Sequence, residues 1–229
     1  MPPASHSMHT MLTARDGVRL DAYVARPAAK PRGALVVVQE IFGVNAHIRG
    51  VCDGYAVDGY VAIAPAVFDR VERGVDLGYD ATGIEAGRAL RAKADTTHAL
   101  ADIDAARAFV AGDGRVGVVG YCWGGLLAWL AACRLDGFAA AIVYYGGGIG
   151  DVLGETPRCP ALGHFGERDT MIPLAWIDEW RRRHPRQPVY TYDADHGFNC
   201  DARPSFDAVA AKLARERTLA FVAEHVGKA

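Results

Sequence analysis

Gly120-Tyr121-Cys122-Trp123-Gly124 sets a thiol between two glycines, directly after the apolar run Val116-Gly117-Val118-Val119 and ahead of the apolar stretch Leu126 to Cys133. A strand, a sharp turn and a helix in that order make the thiol version of a nucleophile elbow. Glycines suit such a turn because its central residue is strained and its neighbours pack too closely for a Cβ. A sulfur at a helix start meets free N–H groups and the positive end of the dipole, which favour a thiolate. The N–H of Trp123 is placed to donate to an oxyanion. The pentapeptide alone also fits a packed, inert cysteine in a glycine-rich turn.

Two downstream segments favour catalysis. Gly166-Glu167-Arg168-Asp169 follows a strand ending at Phe165, and Asp193-Ala194-Asp195-His196-Gly197-Phe198 follows one ending at Tyr192. Nucleophile, acid, histidine is the chain order of an α/β-hydrolase triad. In those roles His196 takes the thiol proton and returns it to the leaving group, while Asp169 fixes the tautomer and stabilises the imidazolium. Class I glutamine amidotransferases share a thiol elbow but carry His-x-Glu, and Phe198 stands where that acid is needed.

The elements that must hold these groups are legible from periodicity. Residues 18–24 follow an Asp16-Gly17 turn and predict an N-terminal hairpin. Continuous apolar runs at 34–38, 60–64, 116–119, 139–144 and 160–165, with a further run at 188–192, read as strands, the β-branched runs being buried on both faces. Helical patterns cover 46–57, about 84–110, 126–133 and about 205–225, and residues 66–80 read as an irregular loop. Alternating strands and helices predict an α/β fold, a mostly parallel central sheet with helices on both faces. Reactive groups then gather beyond the carboxyl ends of the strands.

Bulk properties narrow the function. The 229 residues suit a single domain spanning 1–229, with residues 1–8 read as a disordered lead rather than a secretory signal. A net charge of −2 gives no reason to expect nucleic acid or an anionic membrane as partner. No zinc-type Cys/His spacing is present. Five scattered cysteines point to a reducing, cytoplasmic setting. A monomer or weak homodimer acting on a small molecule completes the expectation.

The elbow, Gly-Glu-x-Asp, Asp-His-Gly-Phe and the segment Gln39-Glu40-Ile41-Phe42-Gly43-Val44-Asn45 together resemble the dienelactone hydrolase (carboxymethylenebutenolidase) family. The resemblance spans nearly the whole chain. It implies a cofactor-free α/β-hydrolase that opens an unsaturated lactone through a Cys122 thioester. It also implies that Glu40 faces the thiol and accepts its proton when substrate arrives, and that Ile41 supplies a second oxyanion N–H beside Trp123. A carboxylate tying down its own loop is the other reading of Glu40.

The resemblance departs at substrate recognition. The family's arginine four residues past the histidine is replaced by Cys200, with Arg203 three further on. A second family arginine falls among Arg70, Arg73, Arg88 and Arg91, with Arg73 taken as the substrate contact together with Arg203, Tyr79 and Tyr144; Tyr145 is a further pocket candidate. Trp123 is bulkier than the leucine usual there and either reshapes the acyl pocket or simply packs. A general carboxylesterase or thioesterase on the same triad, and a catalytically silent binding protein, stay open as alternatives.

Overall fold

The computed structural model describes residues 6–227. Its first elements, β1 (His6–Thr13) and β2 (Arg19–Arg26), form the expected hairpin around Gly17, paired antiparallel from His6–Arg26 to Thr13–Arg19. Residues 6–8 thus belong to a strand and not to a disordered lead, because their backbone pairs with residues 24–26. Residues 1–5 of that lead lie outside the described residues.

Strand β3 (Ala34–Val38) leads into helix α1 (Ala46–Val57), which Asn45 caps by accepting from the N–H of Ile48. Strand β4 (Val61–Pro65) is followed by the 66–80 loop, α2 (Ala81–Lys93) and α3 (Thr96–Val110). A single helix over 84–110 is therefore corrected to two. Ala94 is extended, and the Asp95 side chain accepts from the N–H of His98 and caps a new helix. A capping carboxylate satisfies one of the free amide donors at a helix start, which makes restarting there favourable.

The second half runs β5 (Val116–Tyr121), α4 (Trp123–Arg134), β6 (Phe138–Tyr144), β7 (Ala161–Gly166), α5 (Leu174–Arg183), β8 (Val189–Tyr192) and α6 (Ala208–His225). The eight strands form one sheet in the order β1-β2-β4-β3-β5-β6-β7-β8, parallel from β4 to β8 and antiparallel where β2 meets β1 and β4. Arg215 of α6 pairs with Asp58 at the end of α1, so these helices share one face. Trp129 of α4 packs on Trp180 of α5, and α3 packs on α4, on the other. The central strands are buried on both faces, as their unbroken apolar runs require. Cys52, Cys133 and Cys159 pack as free, buried thiols.

Arg70 is a structural residue. Its guanidinium makes a two-pronged pair with the fully buried Asp102 of α3 and also holds Asp16 of the β1–β2 turn. Burial keeps the Asp102 carboxyl above its ordinary pKa even with Arg70 beside it. Removing one member of a buried pair leaves the other charge uncompensated, at about 3–5 kcal/mol. Arg70→Ala is accordingly expected to lower unfolding free energy by that amount in urea denaturation, and adding Asp102→Asn to recover part of the loss.

Candidate active site

The chain leaves β5 and enters α4 through Cys122, whose φ of 55° and ψ of −118° are rare for a residue with a side chain. Such a conformation costs on the order of 1–3 kcal/mol and persists only where its surroundings enforce it. Here the enforcement is close packing of backbone. A Cβ on Gly120 would collide with the carbonyl of Gly124, and one on Gly124 with the carbonyls of Val38 and Gln39 at the end of β3. The Cys122 N–H donates to Tyr144 O at 3.0 Å, fastening the turn to β6.

Beyond β7 and β8 the other two triad members come into register. His196 Nε2 is 3.2 Å from Cys122 Sγ, and His196 Nδ1 is 2.7 Å from Asp169 Oδ2. Asp169 is fixed in turn by the N–H of Met171, which donates to its Oδ1 at 2.8 Å. All three residues are buried, Cys122 being 8% exposed, and the ring of Tyr145 lies edge-on to His196. Burial alone would keep His196 neutral. Its hydrogen bonds to Asp169 and Cys122 outweigh burial and raise its pKa from 6.5 to about 10. A base held this way is set to carry the proton that a thiol nucleophile gives up.

Glu40, directly beyond β3, is fully buried, and among the described residues its carboxylate is hydrogen-bonded by two side chains. Tyr79 Oη donates to Oε2 at 2.9 Å and Arg203 Nη1 to Oε1 at 3.2 Å. A charged guanidinium and a phenol are stronger partners for a desolvated carboxylate than a thiol is. Arg203 fills the gap left by Cys200. Its guanidinium also lies over the rings of Phe42 and Tyr79, with its side chain 18% exposed. Cys200 itself is buried, which pushes its thiol up to about 11.

Ile41 stands next to Glu40, and Trp123 is the first residue of α4, so its N–H has no acceptor within the helix. The Trp123 ring is sandwiched, with Phe68 stacked at 5.0 Å and the Arg91 guanidinium 4.9 Å from its centroid. Arg91 thus reaches the Cys122 side of the molecule from α2, and burial lowers its pKa. Of the arginine candidates, Arg91 and Arg203 come to the triad. Arg73 does not: it is exposed and donates to the Arg19 carbonyl at the start of β2. Arg88 is exposed, and Arg70 is spent on Asp16 and Asp102.

Tyr144 is also corrected. Its ring stacks on Tyr121 in the core and its hydroxyl pairs with Thr218 Oγ1 at 2.7 Å, so it lines no pocket. The neighbouring Tyr145 is the one that meets the site, because its φ of 37° turns it toward His196. Nothing in the local sequence separates these adjacent tyrosines, and Arg91 has no signal distinguishing it from Arg88 except which side of α2 faces inward.

The family model of the dienelactone hydrolase family matches residues 20–226. A carboxymethylenebutenolidase of Pseudomonas putida is 35% identical, covering 91% of this chain and 92% of that protein. A crystal structure from Klebsiella pneumoniae subsp. pneumoniae MGH 78578, named "Putative Dienelactone Hydrolase", superposes with a TM-score of 0.86 at 30% identity, covering 97% of this chain and all of the other (100%). The dienelactone hydrolase-like promiscuous phosphotriesterase P91 from metagenomic libraries shares the fold, at TM-score 0.78 and 20% identity over 98% of this chain and 100% of that one.

The raised pKa of His196 has a definite sign. A group protonated more readily when folded adds stability that is complete below its unfolded value of 6.5 and lost as pH rises through about 10. Urea unfolding from pH 6 upward is expected to show the parent more stable than His196→Gln at the acid end. That gap closes as pH approaches about 10, and a gap independent of pH would contradict the assignment.

Proposed function

Because the chain belongs to the dienelactone hydrolase family and is a carboxylic ester hydrolase, we propose that Cys122 opens a carboxylate-bearing lactone or ester through a thioester. The observation that carries this reading is the unbroken chain of hydrogen bonds from Cys122 through His196 to Asp169 on a strained elbow. Thiolate Cys122 attacks the carbonyl carbon, and the oxyanion is held by the N–H groups of Ile41 and Trp123. One such donor is worth about 10²–10³ in rate. The C–O bond breaks as the leaving oxygen takes the proton from His196 and departs as the enol, and the neutral His196 then deprotonates the water that hydrolyses the thioester.

Two guanidiniums near the nucleophile support an anionic substrate. Arg91 has no ion-pair partner among the described residues, and Arg203 is bound to Glu40. A substrate carboxylate competes with Glu40 for Arg203, and the released Glu40 becomes a second acceptor for the thiol proton. A second reading follows from the same ion pair. With Arg203 neutralised by Glu40, the site also suits neutral acyl groups, as in a general esterase or thioesterase.

Cys122→Ala is expected to reduce ester and lactone turnover by about 10³-fold or more, measured on purified, folded protein. Arg91→Met and Arg203→Met are expected to raise KM for a dienelactone carrying a carboxylate while changing turnover of a neutral p-nitrophenyl ester far less. Equal losses on both substrates would favour the general esterase, and full activity in Cys122→Ala would remove the proposal altogether.

A further inference from the structure

His47 sits in the first turn of α1, seven residues past Glu40, while Cys200 and Asp201 lie in the loop between His196 and Arg203. Folding brings them together across 154 positions, with His47 Nδ1 3.1 Å from Asp201 Oδ1. One nitrogen, the sulfur and one carboxylate oxygen of the three all lie within 4.8 Å of one another. The His47 side chain is only 7% exposed, yet its buried Nε2 has no hydrogen-bond partner among the described residues. Buried ring nitrogens ordinarily find partners, so an orphaned one calls for a ligand or a reason.

Imidazole nitrogen, thiolate sulfur and carboxylate oxygen are the donors that zinc selects, whereas magnesium and calcium prefer oxygen alone. Tetrahedral coordination draws donors to roughly 3.5 Å from one another, so closing this set takes side-chain adjustments of about an ångström. Cys200 is buried, but Asp201 is 77% exposed and borders an open cleft of about 580 Å³ that Asn199, Phe206 and Arg215 also line. The cleft gives an ion a way in and leaves room for water as a fourth ligand.

We propose that His47, Cys200 and Asp201 form a binding site for a thiophilic divalent cation, with Zn²⁺ as its reference ion. Binding forms a metal–sulfur bond and releases the Cys200 thiol proton to solvent, with no change in oxidation state. The ion would fasten the start of α1, which follows the Glu40-Ile41 segment, to the loop joining His196 to Arg203. It would thus tie together two walls of the catalytic site from behind. Sequence spacing gives no hint of this site because His47 lies far along the chain from the adjacent pair Cys200 and Asp201.

The catalytic thiol and His196 can themselves hold zinc, so the test uses metal-stripped Cys122→Ser protein. Titration with Zn²⁺ in competition with a chromophoric chelator is expected to show one equivalent bound, and Co²⁺ to give thiolate charge-transfer absorption. Adding Cys200→Ser or His47→Gln should each weaken Zn²⁺ binding about tenfold or more. Cys200→Ser should abolish the cobalt band and His47→Gln should weaken it. Zinc should raise the melting temperature of Cys122→Ser protein but not of the double variants. His47→Gln keeps a polar side chain of similar reach on a helix held by its own Asn45 cap, so it reports even if Cys200→Ser folds poorly. Absence of binding in Cys122→Ser, or binding that survives both substitutions, would leave His47 and Asp201 a simple ion pair and overturn the proposal.

Discussion

The left-handed backbone of Cys122 is the constraint on which the site depends. A residue with a Cβ holds φ of 55° only when neighbouring backbone leaves it no alternative. Gly120 and Gly124 supply that neighbour by letting α4 close onto β5 and onto the carbonyls that end β3. The same closeness sets Glu40 and Ile41 beside the helix start that carries Cys122. One packing decision therefore positions the thiol, one of the proposed oxyanion donors and the loop that bears the other.

Beneath the ends of the later strands, one run of buried polar groups is satisfied in series. His164 in β7 is pushed down to a pKa of about 3 by burial, so it is neutral, and both its ring nitrogens are engaged, with Tyr192 and Thr218. Thr218 also pairs with Tyr144, and Arg217 donates to Tyr192. This network ties α6 to the carboxyl ends of β6, β7 and β8, the ends from which Asp169 and His196 are presented. Rigid strand ends are what allow two loop residues to meet a thiol within hydrogen-bond distance.

The charged groups at the mouth follow a different logic. Glu40 cannot remain desolvated without a partner, and Arg203 answers it from a loop far along the chain. Arg91 is held by the aromatic face of Trp123, with no carboxylate partner among the described residues to balance its charge. One neutralised and one open guanidinium make a site whose charge balance changes when an anion enters it.

The fold class, the elbow and the meeting of Cys122, His196 and Asp169 were readable in the chain because each rests on local order. Unbroken apolar runs demand strands buried on both faces, and a Gly-x-Cys-x-Gly turn between strand and helix leaves few other conformations. Asp169 and His196 were readable for the same reason, each following a recognisable strand. Tertiary structure alone decided which arginines reach the site, that Tyr145 and not Tyr144 meets His196, and that Glu40 is bound to Arg203 and Tyr79. It also decided that His47 meets Cys200 and Asp201. These are contacts between side chains from separate loops and helices. Their partners are fixed by how the elements pack, and no spacing within the chain encodes that distance.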